Sequence, residues 1–140
     1  STPGVLRALG RRGARKGVGI RVWTAGNRGR HCKRWIRHLE DHGFIVEEAA
    51  PVDPESLKSE MGIPPSLWNC HTAVIDGYVI EGHVPAVDII RLLEERPFVS
   101  GLAVAGQPAG APGVVNGDPG PYEVLAFTRQ GEISVFARHG

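Results

Sequence analysis

Residues 19–48 read GIRVWTAGNRGRHCKRWIRHLEDHGFIVEE, and the spacing of their apolar positions changes twice. Gly19-Ile20-Arg21-Val22-Trp23-Thr24 alternates and is rich in β-branched and aromatic side chains, which predicts a strand. Ala25-Gly26-Asn27-Arg28-Gly29-Arg30 reads as a loop, because glycine and asparagine tolerate positive φ. From His31 to His42 the period becomes helical. Cys32, Trp35, Ile36 and Leu39 fall at i, i+3, i+4 and i+7 on one face, with Lys33, Arg34 and Arg37 outside it. Gly43 is placed to end that helix. Phe44-Ile45-Val46-Glu47-Glu48 is then a second strand.

Working outward, Asp53-Pro54-Glu55-Ser56 has an acidic cap and a proline for a first turn, which predicts a short helix to Met61-Gly62. Pro64-Pro65 breaks the chain. Thr72 to Ile75, the turn signal Asp76-Gly77, and Tyr78-Val79-Ile80 make a β-hairpin. Val84 to Glu95 is a third helix, with Val87, Ile89, Ile90 and Leu93 expected inward and Pro97 ending it. The order β-α-β-α-β-β-α is, by analogy, the plan of a thioredoxin-like domain. Residues 101–121 are rich in glycine and proline and long for a connection. They are expected to wrap over the core, to lie over a site, or to be mobile. Tyr122 to Phe127 and Ile133 to Phe136 alternate around Arg129-Gln130-Gly131, a second hairpin. The expected fold class is therefore α/β: a thioredoxin-like mixed sheet with flanking helices, a Gly/Pro-rich loop and a C-terminal β-hairpin over 122–138. Residues 1–17 read as a basic N-terminal tail, and 18–140 as one domain.

The 140 residues and a 41% hydrophobic content suit one domain with a core. No apolar run is long enough to span a membrane. The first residues show no signal-peptide pattern. A periplasmic or exported setting is expected if a leader has been removed, and a cytoplasmic one otherwise. Residues 1–43 carry 11 Lys/Arg against 2 Asp/Glu, and residues 44–140 carry 5 against 13. A basic half favours an acidic partner or a small anion. Nothing resembles zinc-finger spacing or aromatic–basic interleaving, so nucleic acid is not the expected partner. The turn containing Arg28 and Arg30 is a weak anion-binding candidate. It lacks the Lys-Ser ending of a phosphate-binding loop.

The two cysteines, Cys32 and Cys70, each have a histidine neighbour in "RHCKRW" and "NCHTAV". In the expected topology the start of the first helix meets the start of the third strand, so the two cysteines meet. A helix start and nearby arginines depress a thiol pKa, which points to Cys32 as the thiolate. His71 adds a nitrogen, His83 returns to the same end of the sheet after the hairpin, and His31 adjoins Cys32. Two sulfurs with one to three imidazoles suit Cu(I), and zinc second. The spacing matches no compact zinc signature. His38 and His42 are expected at the surface, and His139 at the chain terminus. No paired carboxylates and no nucleophile-elbow serine are visible, so catalysis is not the leading expectation.

The run "CHTAVIDGYVIEGHVPAVDIIRLLEERP", with Cys70-His71-Thr72, Gly77-Tyr78 and Glu81-Gly82-His83-Val84-Pro85 as its most specific parts, resembles a bacterial family of small metal-binding, copper-associated proteins of unknown function. The likeness runs from about Gly19 to the end. Where that family has a Cys-Gly-Cys-Cys cluster before the first helix, this chain has His31-Cys32-Lys33-Arg34-Trp35, with one cysteine. Where the family's later loop carries methionines, residues 106–114 carry none. The resemblance implies a metal-binding accessory protein that sequesters a metal ion or passes it to a metal-handling protein. Its reduced ligand set would be Cys32, Cys70 and His71, then His83 or His31. Two other readings stand beside it. One is a thiol redox protein using the Cys32–Cys70 pair. The other is a non-enzymatic interaction module that has lost the family site. The sequence leaves the oligomeric state open.

Overall fold

The structure, a computed structural model, describes residues 17–24, 29–115 and 117–140. The predicted basic tail, up to residue 16, and most of the loop after the first strand, 25–28, lie outside the described residues. Strand β1 (Val18–Thr24) leads to helix α1 (Arg30–Asp41) and strand β2 (Phe44–Glu48). The helical period sorts α1 as its sequence requires: Cys32, Trp35, Ile36 and Leu39 are buried, while Lys33, Arg34 and Arg37 are exposed. Gly43, at φ +94°, turns the chain out of the helix. A parallel β1–β2 pair needs a crossover, and α1 supplies it. The register runs from Val18 opposite Phe44 to Val22 opposite Glu48.

Helix α2 (Pro54–Glu60) starts where the sequence predicts. The Asp53 carboxylate accepts from the Ser56 N–H at 3.0 Å and the Ser56 hydroxyl at 2.7 Å. After a short 3-10 turn (Pro65–Leu67) come β3 (His71–Ile75) and β4 (Tyr78–Glu81). Asp76 and Gly77, both at positive φ, join them as a tight hairpin. Helix α3 (Ala86–Glu95) ends on Arg96 in the left-handed region, just before Pro97.

The sheet continues with β5 (Gly101–Ala103), β6 (Tyr122–Phe127) and β7 (Ile133–His139), in the order β2-β1-β3-β4-β5-β6-β7. The first four are the thioredoxin-like set, with β3 antiparallel to both β1 and β4. Strand β5 corrects the sequence reading, which placed 101–103 in the Gly/Pro-rich loop. Three residues carry no period of their own. The strand exists because β4 and β6 pair with it on either side. A Cβ at Gly101 would lie 1.8 Å from the Val79 carbonyl oxygen, so only glycine fits there.

Strand alternation divides the core between two faces. One face packs Ile20, Val22, Ala73, Ile80 and Leu102 against Trp35 and Leu39 of α1 and against Ile89 and Leu92 of α3. Each of these large side chains contributes about 1.5–3 kcal/mol by leaving water. On the other face Val79, Ala103 and Phe127 meet Ile63 and Leu67 around the 3-10 turn. Helix α3 is rotated from the expected orientation. Ala86, Ile89, Leu92 and Leu93 are buried, and Val87 is 55% exposed. The rotation carries Asp88 inward, where it meets His139 Nε2 at 2.7 Å. His139, expected as a loose terminal residue, also stacks on Tyr122. His38, expected at the surface, is half-buried, and its Nε2 accepts the Ala86 N–H at 3.0 Å. The first turn of α3 is thereby capped by a side chain of α1.

Candidate metal centre

Cys32 occupies the first turn of α1, facing inward by the same period that buries Trp35. Cys70 is the last residue before β3, and His71 is the first within it. The β1–β3 pairing sets Thr24 opposite His71, which brings the start of β3 beside the segment that leads into α1. Both cysteines are unbridged, with Cys32 buried and Cys70 half-buried. Their sulfurs stand 3.5 Å apart. His71 Nδ1 lies 3.3 Å from each. Among the described residues these three donor atoms form one group within 4.8 Å of one another.

The second ring nitrogens determine what the first ones offer. His71 Nε2 lies 2.8 Å from the Gly82 carbonyl oxygen. A carbonyl only accepts, so Nε2 carries the hydrogen and the Nδ1 lone pair faces the sulfurs. His83 is arranged the other way round. Its Nδ1 donates to the Pro112 carbonyl at 2.8 Å, which leaves the Nε2 lone pair 3.7 Å from Cys70 Sγ. His83 therefore joins the group through Cys70. His31 stands at the rim: Nδ1 meets Gln107 Oε1 at 3.1 Å, and its ring is 6.1 Å from that of His83. Gln107 Nε2 reaches Cys70 Sγ at 3.9 Å. Arg30 is exposed at the first position of α1. Arg28, the other half of the anion-binding expectation, lies outside the described residues.

Helix α1 has no side-chain cap and no acidic residue in its first turn. The thiolate nevertheless belongs to Cys70, not to Cys32 as the helix-start argument expected. Cys32 donates its S–H to Cys70, and that bond holds the Cys70 thiol well below its usual range. The same bond, with burial, pushes the Cys32 thiol up. One proton is shared by two sulfurs, and it resides on the more buried one.

The walls are specific. Trp35 stacks on His71 at 4.2 Å between centroids, and its Nε1–H donates to the Val84 carbonyl at 2.8 Å. Gly113, at φ +89°, is the other wall. A Cβ there would sit 2.8 Å from Trp35 N and 3.2 Å from His83 Nδ1. The Gly/Pro-rich segment thus lies over the site, one of the placements its sequence allowed, while Ala111 and Val114 enter the core. Behind the sheet, Glu81 is fully buried. It takes Lys58 Nζ at 2.5 Å, the Thr72 hydroxyl at 2.6 Å and the Asn69 N–H at 2.7 Å. Burial raises its carboxyl pKa against the lowering effect of Lys58. The sequence reading did not single out Lys58, Asn69, Trp35 or Gln107 as site residues. The Glu81-Gly82-His83 run was its only pointer to that wall.

The donors fit a soft ion of ordinary size. Zinc bond lengths of about 2.3 Å to sulfur and 2.0–2.1 Å to nitrogen imply tetrahedral edges of roughly 3.8 Å and 3.6 Å. The sulfur–sulfur and sulfur–nitrogen separations here, 3.5 Å and 3.3 Å, are within about 0.3 Å of those edges. Two sulfurs with imidazole also suit Cu(I).

Residues 67–114 match a family described as a protein of unknown function, DUF411. Two solved structures are similar over nearly the whole chain, both described as copper resistance protein copG, in forms 1 and 2. Each is 44% identical and covers 89% of this chain. The alignments span 98% and 100% of those chains, with TM-scores of 0.80 and 0.81. No curated protein matches.

Proposed function

Because this chain belongs to the CopG-like, DUF411 family of bacterial copper-resistance proteins, we propose that it binds one soft metal ion, Cu(I) before zinc, and holds it or passes it on without turnover. Cys32, Cys70 and His71 are the inner donors. His83 is the next, and His31 stands at the rim. The observation that carries this reading is the orientation of His71 and His83. Each ties one ring nitrogen to a backbone carbonyl and turns the other toward Cys70. An unused core histidine has no reason to present its lone pair to a thiolate. The metal is cargo here, and its exchange partner is a metal-handling protein. The proposed setting is the periplasm, in keeping with a resistance role. No helix among the described residues is long and apolar enough to cross a membrane.

The test is Cu(I) titration of the fully reduced protein against a competing chelator, with thiols counted in the same sample. One tightly held ion is expected, lost in Cys32→Ser and in Cys70→Ser. Unchanged affinity in either variant would sink the reading. A second reading, a reversible dithiol, is favoured by the 3.5 Å separation of the sulfurs. It predicts rapid exchange with a glutathione buffer in the folded state. A pair that exchanges only on unfolding would exclude it.

A further inference from the structure

The residues behind the sheet point to a device that positions the site. Helix α2 buries one side chain, and it is a lysine. Lys58 reaches through to Glu81 Oε2 at 2.5 Å and Thr72 Oγ1 at 2.7 Å. Thr72 and Glu81 are directly opposed in the β3–β4 register. Every member of this network except Lys58 lies within two residues of a donor in the chain. Asn69 precedes Cys70, Thr72 follows His71, and Glu81 precedes the Gly82-His83 pair. Strand alternation sends Thr72 and Glu81 to the α2 face, opposite His71.

The network fixes backbone at the point where the donors leave it. Glu81 accepts the Asn69 N–H. The Asn69 side chain then accepts the Cys70 N–H at 2.8 Å. Its amide donates to the Val104 and Gly106 carbonyls, at 2.8 Å and 2.7 Å. The turn bearing Cys70 is clamped on three sides. A buried ion pair is a poor way to stabilise a fold, since apolar residues of similar volume commonly do as well or better. The feature that apolar residues cannot reproduce here is this set of bonds to positions 69 and 72.

We propose that the Lys58–Glu81 pair is a positioning device for Cys70 and His71. It keeps the sulfurs at contact distance, and so sets metal affinity and disulfide closure more than it sets stability. The affinity half rests on the metal-binding function proposed above. The disulfide half does not.

The test is the double variant Lys58→Met/Glu81→Gln. It removes both charges and keeps shape, and the glutamine oxygen can still accept one N–H. Two equilibria are read beside the thermal midpoint. The first is Cu(I) competition against a chelator, with an expected loss of 10–100-fold in affinity. The second is the glutathione equilibrium: two Cys thiols and one glutathione disulfide give the Cys32–Cys70 disulfide and two glutathione thiols. Loosened sulfurs should lower that constant about tenfold, with the midpoint within a few degrees of the parent. Both constants unchanged in the folded variant would overturn the proposal. So would losses that only track a fallen midpoint. If the parent protein binds no Cu(I), the metal function fails, and the glutathione constant still decides the positioning role. Should the double variant not fold, Thr72→Val removes one hydroxyl of the network at nearly equal volume. It should lower both constants about threefold, and no change in either would overturn the proposal.

Discussion

Alkylation at pH 6 reads directly where the shared proton of the two thiols resides. An ordinary thiol, of pKa about 8.5, is roughly 0.3% thiolate at that pH. Cys70, held well below the usual range by the Cys32 S–H, is ionised there. Its reactive form is therefore about 300 times more abundant than that of a free cysteine. A less basic thiolate is a weaker nucleophile, with a slope of about 0.4–0.5 per pKa unit, which offsets that gain, so the pH dependence of the rate carries the test. Cys70 is half-buried, with the Gln107 amide against its sulfur, while Cys32 is buried. Iodoacetamide, followed by mass spectrometry of the peptides, should label Cys70 first, at a rate nearly flat from pH 6 to pH 8. Cys32→Ala deletes the largest stabilising bond and leaves the two imidazoles. In that variant the Cys70 rate should rise with pH across the same range. A parent rate that climbs tenfold per pH unit, as for a free thiol, would refute the assignment of the thiolate.

Three further outcomes follow from the packing. Burial, then the neighbouring His42 charge, lowers the His38 pKa from 6.5 to about 4. The unfolded chain therefore takes up that proton first, and stability is lost as pH falls from about 6.5 toward 4. Discounted for partial exposure, the loss is on the order of 1–2 kcal/mol. Urea unfolding at pH 7 and pH 4.5 should show this loss in the parent and much less of it in His38→Gln; equal losses would contradict it. Gly82→Ala puts a Cβ 2.6 Å from Asn69 Nδ2 and 2.7 Å from the Val104 oxygen, at φ +79°. Chemical denaturation should show a cost of about 2–4 kcal/mol, and less than ~0.5 kcal/mol would mean the loop yields freely. Trp35→Phe leaves the Val84 carbonyl without its donor and opens space beside His71. It should cost about 2–3 kcal/mol by the same measurement, and a neutral result would mean that water replaces the indole.

The main elements of the fold were legible wherever a local rule and the tertiary structure agree. The helical period at Cys32, Trp35, Ile36 and Leu39, the Asp53 cap, and the Asp76-Gly77 turn each depend on neighbours in the chain. Strand β5 was not legible, because three residues become a strand only when β4 and β6 pair with them. The orientation of α3 was misread at Val87, because Asp88 turns inward to a partner 51 positions away. In the candidate site, the residue types and the meeting of Cys32 with Cys70 could be read from topology. The owner of the thiolate could not. A helix start favours Cys32, but burial and the direction of one S–H bond outweigh it. Lys58 was missed for a related reason. A lysine on a short polar helix is ordinarily solvated, and only the placement of Glu81 at the facing strand makes an inward lysine tolerable.

The two sulfurs belong to positions 38 residues apart. Whatever joins them, a bond or a shared ion, also closes a loop of that length in the unfolded chain. Chain statistics put the value of such a cross-link near ~4 kcal/mol at room temperature. That is a large share of the ~5–15 kcal/mol by which a domain of this kind stands above its unfolded state. The lifetime of the polypeptide against proteases would then follow the state of two atoms. Unjoined, the chain opens more often and is cleared sooner. Joined, it persists, so its abundance would record how much of its cargo, or how much oxidant, it has met.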